Sequence, residues 1–153
     1  QQRLAAIKPL RYPRWLVVTM IGLSCGSFAY LAGGEPISCI VACIASAIAM
    51  YVRLVIAGHH FNPLLNFCAT AFVASSVAMV GERYDWGATP DIAVASSVLL
   101  LVPGFPLINS LSDMVKGYTN TGLARWSIAT LLTLSTCIGI IAAMSLWGYQ
   151  GWR

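Results

Sequence analysis

The sequence predicts an all-α, polytopic membrane domain of five transmembrane helices, and three observations carry that reading. First, the chain's 153 residues are 58% hydrophobic and only 9% charged, where a soluble domain carries about a quarter charged residues. Second, mean hydropathy is +0.76, and the apolar residues gather into five runs, each near the roughly 20 helical residues that cross about 30 Å of hydrocarbon. Third, these runs are continuous, without the in/out alternation that barrel strands require.

Residues 1–13 are polar and basic (Arg3, Lys8, Arg11) and read as a cytoplasmic lead-in, the end of a preceding domain; residues 14–153 form the five-helix membrane domain. Pro13 marks the start of span one, Trp15 to Leu31. Basic residues before a first apolar run also suit a signal peptide. Here four further spans follow and the chain starts at Gln1, so the expectation is a truncated or processed parent protein. Gly22 and Gly26 form a GxxxG in this span, which lets helix backbones approach closely, in this chain or against another subunit.

Gly33-Gly34 turns the chain into span two, Pro36 to Ala57, which is dense in small residues (Ser38, Ala42, Ala45, Ser46, Ala49). Arg53 near its end has two readings: neutralising a substrate carboxylate, or snorkelling to the interface. The turn from Gly58 to Pro63 carries His59 and His60, which relay protons near neutral pH or simply meet water. Span three runs from Pro63 to Val80, and Glu82 to Pro90 is the one sizeable loop on the far side. Span four runs from Ile92 to about Val115, and span five from Trp126 to Trp147.

Charge sets the orientation. Seven of the nine Lys/Arg (Arg3, Lys8, Arg11, Arg14, Arg53, Lys116, Arg125) fall on one side, which the positive-inside rule makes cytoplasmic. The N-terminus is then cytoplasmic and the C-terminus periplasmic. Trp15 and Trp126 anchor the inner interface, and Trp86 and Trp147 the outer one. The same distribution argues against nucleic-acid binding despite a pI near 9.0, since the cations sit at the ends of apolar runs and form no aromatic-interleaved face. The five cysteines all lie inside spans. Cys39 and Cys43, four apart, read as packing residues and not as a metal pair, and no disulfide, metal or cofactor is expected. No HExxH, phosphate loop, nucleophile elbow or nucleotide signature occurs, so the chain reads as neither an enzyme nor an ATP-driven pump.

Span four is interrupted at Pro103-Gly104-Phe105-Pro106. At 1.5 Å per residue from Ile92 this lies near mid-depth. Neither proline donates a backbone hydrogen bond and Gly104 accepts unusual dihedrals, so the helix breaks there. Pro106 suits the first turn of a new half-helix, whose free N–H groups point into a cavity and suit a carboxylate. Beyond the break, Asn109, Asp113, Lys116 and Asn120 follow i, i+4, i+7, i+11. On one reading they line a cytoplasm-facing vestibule with Asp113 as coupling acid. On the other they are the wet face of an interfacial helix, with Asp113 and Lys116 a surface pair and Arg125 a boundary anchor.

The stretch LVPGFPLINSLSDMVKGYTNTGLAR resembles the signature of the threonine/serine exporter family. Pro-Gly is followed there by Asp, Gly and Gly-x-x-Arg, here Pro103, Gly104, Asp113, Gly117, Gly122 and Arg125. PLRYPRWLV at 9–17, GLSC at 22–25, AMYVR at 49–53, NFC at 66–68 and the closing WGYQGW extend the likeness to the larger subunit of two-component bacterial succinate exporters. The resemblance implies a secondary exporter subunit in the bacterial inner membrane. It would work with a smaller homologous membrane subunit and form one half of an inverted repeat. The expected substrate is a small carboxylate, succinate or another C4-dicarboxylate. Threonine/serine export and a non-transporting scaffold for the partner are the alternatives. The residues expected to bind or couple substrate are Pro103, Gly104, Phe105, Asn109, Asp113, Gly117 and Arg125, with Arg53, His59, His60 and Lys116 behind them.

Overall fold

The computed structural model of the protein describes residues 12–58, 62–83 and 89–148. Among them the regular structure is helical: α1 (Arg14–Leu31), α2 (Pro36–Gly58), α3 (Pro63–Arg83), α4 (Pro90–Val98), a 3-10 turn (Leu99–Leu101), α5 (Gly104–Val115) and α6 (Thr119–Trp147). α1, α2, α3 and α6 are each long and apolar enough to cross a membrane. The pair Asp91–Leu101 and Gly104–Val115, bent by 56° at the break, meets the same test together, as a broken fifth span or a re-entrant loop. The lead-in to residue 11, His59, His60 and Trp86 lie outside the described residues.

Each boundary has a local cause. α1 starts where the Pro13 carbonyl accepts from Leu16 and Val17 N–H (3.1 and 3.3 Å). It ends at Gly33, whose φ of +86° lets Gly34 N–H return to the Ala29 carbonyl (2.9 Å) and Gly33 N–H to Tyr30 (3.0 Å). This six-to-one, five-to-two pattern satisfies the last carbonyls of a helix. Pro36, Pro63 and Pro90 each occupy a first helical position, where the missing N–H has no intrahelical partner to lose.

The core is built from small side chains. Ala45, Ala78, Met79, Val94 and Ala143 form one cluster; Ala49, Ala71, Ala74, Val98 and Leu101 form the next. Helices sharing alanine contacts approach closely, which supplies the van der Waals packing that holds membrane helices together. The glycines of α1 serve the same purpose inside this chain: a Cβ on Gly22 would stand 3.0 Å from the Cys43 carbonyl, and one on Gly26 3.1 Å from that of Cys39. Several buried hydroxyls fold back onto their own helix, Ser46 to the Ala42 carbonyl (2.7 Å) and Thr136 to the Leu132 carbonyl (3.0 Å), which satisfies those groups without water. Outward positions carry Leu23, Ile40, Ile44, Ile138 and Ile141, all exposed, which suits lipid and not water.

α4 is embedded against α1, α2 and α3, whereas α5 packs chiefly on α6. α6 lies along α3, with Gly139 against the Cys68 carbonyl and the Ser135 hydroxyl bonded to the Leu64 carbonyl. That register leaves residues 119–134 running past the start of α3, and α5 is clamped there. Three details differ from the sequence reading. α6 begins at Thr119, not Trp126, because a turn at Gly117 restarts the helix well before the apolar run does. The interruption of span four sits at Val102-Pro103, and Gly104, Phe105 and Pro106 already form the first turn of α5. Trp147 also packs against the Ala45–Ala143 cluster, a contact the sequence reading did not give it.

Gly139→Leu should destabilise the bundle by about 2 kcal/mol, the usual range for overpacking, because its side chain would meet α3 backbone. Ala142→Leu, on the exposed face of the same helix, should stay within about 0.5 kcal/mol of the parent. Denaturation of the protein in mixed micelles, followed by helix signal, compares the two.

Candidate functional site at the broken helix

Pro103 shapes the break through what it cannot do. α4 loosens at Val98 into the 3-10 turn, closed by Val102 N–H on the Leu99 carbonyl (3.1 Å). The Leu100 carbonyl would ordinarily receive an N–H three or four residues on. Position 103 is proline, and Gly104 N–H turns to Val102 (2.8 Å). An orphan acceptor is left at membrane depth, where it is expensive to leave unmade.

Arg53 fills that vacancy. Its Nη1 donates to the Leu100 carbonyl at 3.4 Å across 47 residues of sequence, and its guanidinium lies over the Phe67 ring, 4.5 Å from the centroid. Side chains on a helix lean toward its N-terminus, so Arg53, five residues before the end of α2, points back along the bundle. The side chain thus reaches the break inside the bundle. The Arg53 carbonyl in turn accepts from Asn66 Nδ2 (3.4 Å), and Thr70 Oγ1 bonds the Asn66 carbonyl (2.6 Å) and Oδ1 (3.2 Å). Sequence reasoning passed over Asn66, Phe67 and Thr70. The signal for two of them was there: Asn66 and Thr70 stand i, i+4 in an apolar span, a costly placement that calls for a partner.

The start of α5 offers less than the sequence suggested. Gly104 N–H is taken by Val102, Pro106 has none, and Leu107 N–H bonds the Pro103 carbonyl (3.1 Å). Of the expected fan of donors, Phe105 N–H remains. The Phe105 side chain points outward (78% exposed), while Pro103 is buried.

The remaining motif residues build a helical hairpin. Gly117 has φ +88°, Gly117 N–H bonds Met114 (3.0 Å) and Tyr118 N–H bonds Asp113 (2.9 Å), the same capping pattern as at Gly33. Gly122 lets α6 close on α5, since a Cβ there would lie 2.8 Å from the Ser110 carbonyl. Asp113 Oδ2 then accepts from Arg125 Nη1 at 2.7 Å, with side chains 21% and 50% exposed respectively. The predicted stripe is therefore not one face. Asn109 and Asp113 belong to α5, Lys116 caps it, and Asn120 belongs to α6. Asp113 pairs with Arg125 and not with Lys116. Asn109 is partly buried on α5. His59 and His60 lie outside the described residues.

Between α4 and α6 runs a cleft of about 670 Å³ that reaches the break at Pro103 and Leu107. Its walls are largely apolar, with Asp91, Thr133, Thr136 and Cys137 as the polar or polarisable exceptions. Asn109, Asp113 and Arg125 are not among its lining residues. Among the described residues no cluster of His, Cys, Asp or Glu could hold a metal.

Long apolar helices around a discontinuous one, with a cation held at its break, define a multi-pass membrane protein of transporter type. The sequence signature of the family described as "Putative threonine/serine exporter" matches residues 1–147, and the chain belongs to that family. It is 54% identical over 153 residues to the "Probable succinate transporter subunit YjjP" of Klebsiella aerogenes, covering 99% of this chain and 59% of the relative. To the protein of the same name in Escherichia coli K12 it is 51% identical, covering 99% and 60%. It is 30% identical over 147 residues to the "Probable threonine/serine exporter" of Mycobacterium tuberculosis, covering 90% and 26%. The chain thus spans about three-fifths of the length of the first two relatives. No solved structure matches it.

Gly117→Ala should weaken the hairpin by about 1 kcal/mol, because alanine is strained at positive φ. Asp113→Asn should cost less than about 1 kcal/mol, since half-exposed ion pairs contribute little. Limited proteolysis around residues 116–118 should rank the two in that order.

Proposed function

We propose that the chain is the membrane domain of a secondary exporter subunit for small carboxylates, succinate and other C4-dicarboxylates first. On this reading it resides in the bacterial inner membrane, acts with a smaller homologous membrane subunit, and has its N-terminal end in the cytoplasm. The observation that carries the reading is the broken fourth span, with the Arg53 guanidinium fixed on the Leu100 carbonyl at the break. A positive charge beside interrupted backbone in a membrane helix is the arrangement from which transporters build anion sites. The names of the two relatives above 50% identity point to the same substrate class.

α6 lies along α3, and the break joins α4, packed into the α1–α3 bundle, to α5, packed on α6. Rocking of one against the other at Val102-Pro103 gives alternating access. Asp113 and Arg125 keep the moving hairpin intact, and Asn109 on α5 presents an amide toward the substrate side. Threonine/serine export is the second reading, favoured by the family and by the mycobacterial relative. An amino acid needs an anionic partner for its ammonium, and the Asp113 carboxylate is already held by Arg125, so the dicarboxylate comes first.

Inverted vesicles containing the full-length protein and its partner subunit, supplied with labelled succinate or threonine, test this directly. Succinate should be transported, and Asp113→Asn, which weakens the hairpin ion pair, should slow transport with insertion and subunit association unchanged. Transport of threonine alone would select the second reading. Transport unaffected by Arg53→Gln, with the subunits still associated, would leave the chain a scaffold.

A further inference from the structure

The guanidinium of Arg53 is a membrane-embedded cation without an acidic partner among the described residues. Glu35 precedes α2 and Asp91 opens α4, both at the opposite ends of their helices from the Arg53 level, and Asp113 is bonded to Arg125. Arg53 makes one side-chain hydrogen bond, to a neutral carbonyl at 3.4 Å, longer than the roughly 2.9–3.0 Å of a well-formed N–H···O bond. Phe67 covers one face of the guanidinium plane and leaves its edges available. A guanidinium presents five donors in a fork that matches a carboxylate bidentately, and charge-assisted pairs of that kind are about twice as strong as a bond to a neutral acceptor. The acceptor it now holds belongs to the hinge itself: Leu100 lies two residues before Val102-Pro103, and no backbone N–H replaces Arg53 there.

We infer that Arg53 is the carboxylate-recognition residue and that it works by exchange. A substrate carboxylate takes the guanidinium from the Leu100 carbonyl, the 3-10 turn loses its cap, and the joint between α4 and α5 opens. Recognition and opening are then one event, because the same donor cannot serve both acceptors in full. This rests on the carboxylate-export reading and names its binding residue and its coupling step.

The test uses Leu101→Cys in the full-length protein in membrane vesicles. Leu101 is buried (1% exposed), so maleimide labelling at that position, read by mass spectrometry, reports opening of the turn. Succinate should accelerate labelling, and chloride should not. With Arg53→Gln added, labelling should be fast with or without succinate. With Arg53→Lys, which keeps the charge but not the fork, the succinate response should persist with its half-saturating concentration raised about tenfold or more, the loss of one charged hydrogen bond. An unchanged succinate response in Arg53→Gln overturns the inference, as does slow, unresponsive labelling in that variant or an unshifted half-saturation in Arg53→Lys. Vesicles that export succinate while Leu101→Cys never responds to it also overturn the inference and leave the export reading standing. Vesicles that export no carboxylate remove both.

Discussion

The Leu100 carbonyl, deprived of a backbone donor by Pro103, is the constraint on which the rest of the arrangement turns. In hydrocarbon an unmade hydrogen bond has no water to fall back on. The chain answers with a side chain from another helix, Arg53 at 3.4 Å. That answer places a cation inside the bundle, which demands its own support. Phe67 supplies an aromatic face, and Asn66 ties α3 to the Arg53 backbone. One missing N–H thus accounts for the position of three side chains on two helices.

Such support works only if the helices are close together, and the small-residue core ensures that they are. Ala49, Ala71 and Ala74 line the level of Val98 and Leu101, so α2 and α3 stand near enough to α4 for an arginine to reach across. The same economy of side chains explains why the cleft opens beside α4 and not elsewhere. α6 packs on α3 and α5 but leaves α4 uncovered, and the large outward residues of α6, among them Ile138 and Ile141, present hydrocarbon to whatever flanks them.

Much of this could be read before any coordinates. The spans follow from bilayer thickness and run length, and the break follows from two prolines and a glycine, because both signals are local. The Asp113–Arg125 pair was not readable, since a 3.6-residue extrapolation runs straight through Gly117, where the chain in fact reverses at positive φ. Asp113 was then matched with Lys116, its neighbour in sequence, instead of Arg125, its neighbour across a turn. The partner of Arg53 was out of reach for a related reason. Its acceptor lies 47 residues away, and only the fold reveals that Leu100 lacks a donor. Local chemistry was visible, and pairings between distant elements were not.

In the hairpin, the most distinctive motif in the chain is engaged in its own packing. Asp113, Gly117, Gly122 and Arg125 are engaged with one another: a turn, a close approach and an ion pair that together fix α5 on α6. Groups committed in this way hold geometry, and a ligand that drew Asp113 off Arg125 would loosen the hairpin instead of moving it. Among the described residues, the cation without an acidic partner lies on the other side of the break, at Arg53. On the proposed mechanism, a hairpin stiffened by its own motif and a wall carrying that cation divide the labour that alternating access requires. Position 103 joins the two, so the residue that removes one hydrogen bond also sets where the proposed opening would start.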